Sequence, residues 1–314
     1  MAVHNKNPVP SPVLSPATIE SIAGLTAGSI ATLAVHPLDI VKTRMQIHRS
    51  AASNSRVTTV SVLRSLVVQD RPIKAFYRGL TPNLVGNAAG WASFFYFKAR
   101  TEEVLFSRSS GENKQRHLAP QEHFLASAVA GAMTTLLTNP IWVLKTRMLS
   151  SDRASAGAYR SMADGMSLIY RVEGIRGFYR GVLVSLVGVS HGAVQFAVYE
   201  PLKKVYLVAQ SPQTQGQRRL RKLDNHATLV ISTLAKLVAG AVTYPYQVIR
   251  ARVQNYDSEA RFGKGILGVA GRVFKEEGLR GFYRGLGPAV FRVMPATWMT
   301  FLVYENVKHH LQDG

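Results

Sequence analysis

His36-Pro37-Leu38-Asp39-Ile40-Val41-Lys42-Thr43-Arg44 returns twice further along the chain. It comes back as Asn139-Pro140-Ile141-Trp142-Val143-Leu144-Lys145-Thr146-Arg147 and as Tyr244-Pro245-Tyr246-Gln247-Val248-Ile249-Arg250-Ala251-Arg252. The three prolines stand 103 and 105 residues apart. A second motif follows each of them: Phe76-Tyr77-Arg78-Gly79, Phe178-Tyr179-Arg180-Gly181 and Phe282-Tyr283-Arg284-Gly285, the glycine falling 42, 41 and 40 residues after its proline. Two motifs recurring three times at matched spacing define an internal threefold repeat.

Each repeat carries two apolar stretches. Residues 21–38, 79–97 and 124–144 hold no formal charge; 181–199 holds only His191, 227–249 only Lys236 and 285–304 only Arg292. About 20 apolar residues are what a helix needs to cross a bilayer core. Helices on the surface of a soluble protein keep a polar face, and these stretches lack one. The expected fold is therefore all-α, with six transmembrane helices in three repeats over 18–107, 120–206 and 225–311. Short amphipathic helices are expected at 58–68, 161–171 and 266–275, and polar linkers near 108–119 and 207–224. Residues 1–17 hold four Pro, one Lys and no Arg, which reads as a disordered tail with no cleavable presequence.

The 314 residues carry a formal net charge of +20, yet only 18% of them are charged, below the usual quarter. The basic residues punctuate apolar spans instead of sharing one surface, as a nucleic-acid binder requires. Absence of cysteine excludes disulfides, thiol nucleophiles and thiolate metal sites. No nucleophile elbow, phosphate loop or metal-ligand spacing occurs, so the sequence points away from an enzyme and predicts no metal or cofactor.

The pattern Pro-x-x-x-x-(Lys/Arg)-x-(Lys/Arg), present three times between about 20 and 310 and carrying an acid at its third position in repeat one, resembles the Pro-x-(Asp/Glu)-x-x-(Lys/Arg)-x-(Lys/Arg) signature of the mitochondrial carrier family. The resemblance implies a pseudosymmetric barrel of six tilted helices around one solute site that opens alternately to either side. It implies a monomeric, multi-pass protein of the mitochondrial inner membrane that carries a small anionic solute and binds cardiolipin. Pro37, Pro140 and Pro245 would kink three helices and converge them into a matrix gate. Its acidic slots hold Asp39, Trp142 and Gln247, and its basic slots Lys42, Lys145 and Arg250. In the family each acid pairs with the next repeat's base. That assigns Asp39 to Lys145, a hydrogen bond to Gln247 and Lys42, and a cation–π stack to Trp142 and Arg250. Gln46 and Gln254 fall where the family has braces across such pairs.

At the other end the resemblance implies a cytoplasmic gate of Tyr199, Glu200 and Lys203 with Tyr304, Glu305 and Lys308. Repeat one departs, with Phe97-Lys98-Ala99-Arg100 and no acid. Lipid phosphates would sit at Gly79, Gly181 and Gly285 and at Gly174 and Gly278, where backbone amides can bind anions. Repeat one has Arg71-Pro72 in place of the Glu-Gly that precedes the other two turns.

For the solute, charged residues within a span are costly and usually functional. Arg292 stands seven residues after Gly285, and the same offset gives Gly86, followed by Asn87, in repeat one and Gly188, followed by Val189, in repeat two. These resemble the family's three contact points. Arg292 suits a phosphate, and Gly-Val suits an adenine ring. Lys236 either faces the cavity or snorkels. His191 and Gln195, one helical turn apart, either line the cavity or join helices. The Pro-Ile-Trp at 140–142 resembles carriers of FAD, folate, NAD and pyrimidine nucleotides, and the stretches at 189–196 and 243–252 resemble the FAD/folate branch most. FAD is then the expected transported substrate and not a cofactor.

Overall fold

A computed structural model describes residues 16–48, 58–109, 120–151, 158–209, 225–256 and 258–313, and within them the chain is helical throughout. Repeat one comprises α1 (Pro16–Ile47), α2 (Thr59–Val67), α3 (Pro72–Phe76) and α4 (Leu80–Ser109). Repeat two comprises α5 (Pro120–Ser150), α6 (Met162–Phe178), α7 (Val182–Val187) and α8 (Ser190–Ala209). Repeat three comprises α9 (Asn225–Val242), α10 (Tyr244–Gln254), α11 (Ser258–Phe262), α12 (Gly265–Gly281) and α13 (Leu286–Asp313). The tail expected over 1–17 lies outside the described residues except for its last two, which open α1; the linkers expected near 108–119 and 207–224 lie mostly outside them as well.

Successive repeats join side by side: α4 runs along α5, α8 along α9, and α13 returns to run along α1, closing a ring. Four helices are long and apolar enough to span a membrane, and the bent pair α9–α10 makes a fifth. The remaining one, α4, has 30 residues but carries Asn83, Asn87 and a charged last third, so composition alone passes over it. Large apolar side chains face outward along these helices; Leu25, Trp91, Leu137 and Phe291 are all exposed. That pattern suits hydrocarbon surroundings, where helices satisfy their own backbone groups.

The prolines act differently in the three repeats. The helices α1 and α5 continue through Pro37 and Pro140. The third breaks at Thr243, and its halves meet at 59°, with Pro245 in the first turn of α10. Buried apolar residues gather at this end in three clusters, each where a short helix packs on its odd-numbered span. Val62 and Leu66 meet Ile40 and Val41; Ile169 meets Val143 and Leu144; Val269 and Val273 meet Ala251 and Phe262. The short helices turn sharply at Gly174 and Gly278, each at φ 64°, a left-handed conformation that glycine adopts at little cost. Repeat one has Pro72 at this place and divides the segment into α2 and α3 instead.

Candidate functional site

The residue before each proline ties its span to the turn that begins the next. His36 Nε2 lies 3.0 Å from the Arg78 carbonyl, Asn139 Nδ2 donates to the Phe178 carbonyl (2.7 Å), and Tyr244 Oη donates to the Arg284 carbonyl (3.0 Å). A carbonyl only accepts, so His36 carries its proton on Nε2. Its Nδ1 is then free to accept from Asn83 Nδ2 (3.2 Å), which also donates to Asp39 Oδ2 (3.3 Å). Asp39 is 5% exposed and is held from three sides.

The gate slots converge. Lys145 Nζ lies 3.7 Å from Asp39 Oδ2, and Lys42 Nζ donates to Gln247 Oε1 (3.0 Å). Trp142 departs from the expected stack on Arg250: its indole Nε1 donates to Thr138 Oγ1 (3.1 Å) and its ring lies under Lys145 Nζ at 5.0 Å. The Thr138 bond, one turn back on the same helix, turns the ring along α5. The glutamines do not brace ion pairs. Gln254 accepts from Thr146 Oγ1 (3.0 Å) and donates to Asn139 Oδ1 (3.5 Å), and Gln46 offers its backbone carbonyl to Arg252 Nε (2.9 Å). With Trp142 and Gln247 in acidic slots, those seams hold no carboxylate–cation pair to brace.

Arg292 joins this gate. Its Nη1 lies 2.9 Å from Asp39 Oδ1. The equivalent positions of the other repeats meet the neighbouring repeat just after its proline: the acidic slot Trp142 for Gly86, and Tyr246, one residue before the slot Gln247, for Gly188. A Cβ on Gly86 would stand 3.4 Å from the Trp142 ring, and one on Gly188 would stand 3.0 Å from Tyr246 Oη. The span that follows FYRG in each repeat therefore presents its seventh residue after the FYRG glycine to the next repeat's post-proline residues. Arginine meets aspartate at one seam, and glycine makes room for an aromatic ring at the other two.

A cavity of about 310 Å³ lies at this convergence, lined by Lys42, Lys145, Arg250 and Arg292 together with Thr43, Gln46, Trp142, Thr146, His191, Tyr246, Gln247, Ala251 and Gln254. His191 both lines it and joins helices. Thr243 gives its hydroxyl proton to the Ala239 carbonyl (2.6 Å), so His191 Nδ1 is the donor to Thr243 Oγ1 (2.8 Å).

The other expected solute residues lie elsewhere. Lys236 reaches Thr297 Oγ1 (3.5 Å) in a separate crevice of about 340 Å³ between α9 and α13, lined also by Thr228, Ser232 and Thr300. Val189 packs on Gly131, whose Cβ would stand 3.0 Å from it, so it fills a helix seam and does not line the 310 Å³ cavity. Asn87 Nδ2 donates to Thr32 Oγ1 (3.1 Å). Gln195 lies outside both cavity linings.

The expected cytoplasmic ring is not assembled. Lys203 pairs with Glu200 on its own helix (3.9 Å), while Lys308 (2.6 Å) and Tyr304 both donate to Glu20 of α1. Among the described residues no ion pair joins α8 to α13, so Tyr199 and Glu305 meet no partner ring. The barrel is closed at the proline end, and its other end is not drawn together. Glu20 escaped the sequence reading because it precedes the repeated motifs.

Two charge clusters also escaped it. Arg147, 1% exposed, and Arg180 both grip Glu173 (2.5 and 2.7 Å). Arg252 and Arg284 grip Glu277 in the same way (2.7 and 3.2 Å). The signal was available: the second basic residue of the proline motif, the arginine of FYRG and a glutamate eight residues before the FYRG glycine. In repeat one that glutamate is Arg71. There Arg44 Nε donates to the Leu149 carbonyl (3.3 Å) and Arg78 Nε to the Met148 carbonyl (2.8 Å).

A sequence profile described as mitochondrial carrier protein matches residues 15–109, 116–209 and 221–314. The chain is 34% identical to the mitochondrial FAD carrier protein FLX1 of Saccharomyces cerevisiae, over 95% of this chain and 98% of that protein. It is 35% identical to the mitochondrial nicotinamide adenine dinucleotide transporter 2 of Arabidopsis thaliana, over 90% and 77%. It is 34% identical to the chloroplastic folate transporter 1 of the same plant, over 91% and 92%. With three matched repeats, a closed ring of helices and a cation-lined cavity at its narrowed end, the chain belongs to the mitochondrial carrier family, whose members are transporters and not enzymes.

Proposed function

We propose that the protein carries FAD, a dinucleotide with a diphosphate bridge, across the mitochondrial inner membrane by alternating access. The observation that carries this reading is the cavity lining: four cationic side chains, Lys42, Lys145, Arg250 and Arg292, beside a single contacting carboxylate, Asp39. Such an excess of positive charge favours a polyanionic solute. Similarity to a FAD carrier along nearly the full length of both chains favours the flavin dinucleotide among such solutes. Lys236, with the hydroxyls around it, would meet a more distant part of an extended solute. The left-handed turns at Gly79, Gly181 and Gly285 suit cardiolipin phosphates, and the barrel would work as a monomer.

Uptake of labelled FAD into liposomes holding the purified protein tests this. Saturable FAD uptake is expected. Uptake of NAD, folate or UTP without FAD would overturn the flavin assignment and move the protein to a neighbouring branch of the family.

A further inference from the structure

The ring of residues at the proline kinks is short of acid. Three basic slots, Lys42, Lys145 and Arg250, are filled, and Arg292 adds a fourth cation. The three acidic slots supply one carboxylate, Asp39, and both Lys145 and Arg292 draw on it. Among the described residues Lys42 donates to the neutral amide of Gln247 and lies over the Tyr244 ring, with no carboxylate in contact. Arg250 lines the cavity facing the slot where Trp142 has turned aside toward Lys145. Arg292 holds Asp39 through Nη1 alone, and its Nε is buried without a hydrogen-bond partner. Cations taken out of water without counterions are costly. Here the deficit is the two carboxylates that Trp142 and Gln247 replace.

We propose that the gate ring itself is an anion subsite, and that a diphosphate group of the solute takes the place of the two missing carboxylates while the proline end is closed. Two linked phosphates supply two negative charges and acceptors enough for Lys42, Arg250 and the idle Arg292 Nε–H. Guanidinium groups match phosphate oxygens with paired donors. The cavity of about 310 Å³ lies at the small end of the ~300–1,000 Å³ usual for small-molecule sites. It admits a diphosphate head and leaves the rest of a dinucleotide in the wider barrel. The solute thereby completes the gate from within. This inference deepens the reading of the cavity as the solute site and does not depend on flavin as the cargo.

The test is thermal unfolding of the full-length protein in detergent, titrated with inorganic pyrophosphate, FAD and FMN, for wild type, Gln247→Glu and Gln247→Met. A ligand that binds only the folded state raises stability with concentration. Wild type should respond to pyrophosphate and FAD at lower concentrations than to FMN, which has one phosphate. Gln247→Glu gives Lys42 a built-in carboxylate. It should be more stable without ligand and need at least tenfold more pyrophosphate or FAD for the same shift. Gln247→Met removes the acceptor of Lys42 without adding charge and should weaken the response far less than Gln247→Glu. No pyrophosphate response in wild type, equal responses in wild type and Gln247→Glu, or equal weakening by Met and Glu would each overturn the subsite. A pyrophosphate response that Gln247→Glu weakens, with none to FAD, would keep the subsite and overturn the FAD assignment. An FAD response unchanged in Gln247→Glu would do the reverse.

Discussion

Arg292 Nη1 stands 2.9 Å from Asp39 Oδ1, joining the last span to the first across the closed end of the barrel. Asp39 also faces Lys145 at 3.7 Å and accepts from Asn83 at 3.3 Å. It is thus the one carboxylate on which three helices converge. Removing one partner of a buried ionic cluster is expensive because the others remain, about 3–5 kcal/mol. Asp39→Asn should therefore lower the unfolding temperature in detergent clearly, while Arg292→Ala, whose side chain is 35% exposed, should lower it little. Transport should show the opposite weighting for Arg292: at least a tenfold loss in liposome uptake from Arg292→Ala in a folded protein. Uptake equal to wild type would remove Arg292 from the solute's path.

The seam between α4 and α5 offers a more direct test of the pairing rule. Gly86 faces Trp142 as Arg292 faces Asp39. Gly86→Arg alone should destabilise, because even a Cβ there would stand 3.2 Å from Ile141. Combining it with Trp142→Asp should recover part of the loss by building a second arginine–aspartate seam. Neighbouring residues show couplings of about 0.5–3 kcal/mol in such cycles. Strict additivity of the two changes in thermal unfolding would deny that these positions are equivalent.

The repeat made most of this architecture legible. Prolines at near-constant intervals placed the spans, and the fixed offset from FYRG singled out Arg292 and Gly86 before any contact was known. What remained hidden were choices between partners on the same face. Trp142 has both Lys145 and Arg250 within reach of its slot, and only the local bond to Thr138 decides where the ring lies. Val189 and Asn87 stand one residue past that offset, and neighbours on other helices, Gly131 and Thr32, absorb them. The cytoplasmic residues depend on conformation: with the proline end shut, Lys308 finds Glu20 instead of a residue on an even-numbered span. One sequence encodes both ends of the cycle, whereas a single conformation displays one.

The lysine in the crevice between α9 and α13 separates two roles for intramembrane charge. Lys236 meets only the Thr297 hydroxyl among the described residues, so Lys236→Met should leave folding nearly intact. If the crevice receives the far end of an extended solute, the KM for uptake should rise at least fivefold with little change in the maximal rate, since the gate ring is untouched. An unchanged KM would show that the ammonium serves only helix packing.

The Glu173 cluster ties stability to pH. Burial opposes ionisation of Glu173, but its bond to Arg147, and the charges of Arg147 and Arg180, outweigh that and hold its carboxyl below the ordinary value. A depressed folded-state value means that the unfolded chain binds the proton more readily. The stabilisation is therefore complete above the unfolded value, about pH 4.3, and is lost as pH falls through the lower folded value. Glu173→Gln should cost stability at pH 7, and the gap to wild type should narrow below about pH 4. A gap independent of pH would mean that shape and hydrogen bonding, and not charge, hold this corner.

Repeat one carries the reciprocal experiment. Arg71 occupies the position that Glu173 and Glu277 hold in the other repeats, and Pro72 replaces the glycine whose φ of 64° lets the short helix turn. Among the described residues Arg44 donates to the Leu149 carbonyl of the neighbouring repeat, and Arg78 to the Met148 and Tyr159 carbonyls and the Ser151 hydroxyl. Writing the missing pair into the chain, Arg71→Glu with Pro72→Gly, should bring a carboxylate between Arg44 and Arg78 and raise stability by about 1.5–3 kcal/mol, the range for hydrogen bonds to charged groups. Arg71→Glu alone should gain less, because proline keeps the segment divided and leaves the carboxylate short of both arginines. If the double change destabilised the protein, the cross-repeat carbonyl bonds would be the stronger hold on this corner, and the departure of repeat one from its sisters would be a tie between repeats and not a lost charge cluster.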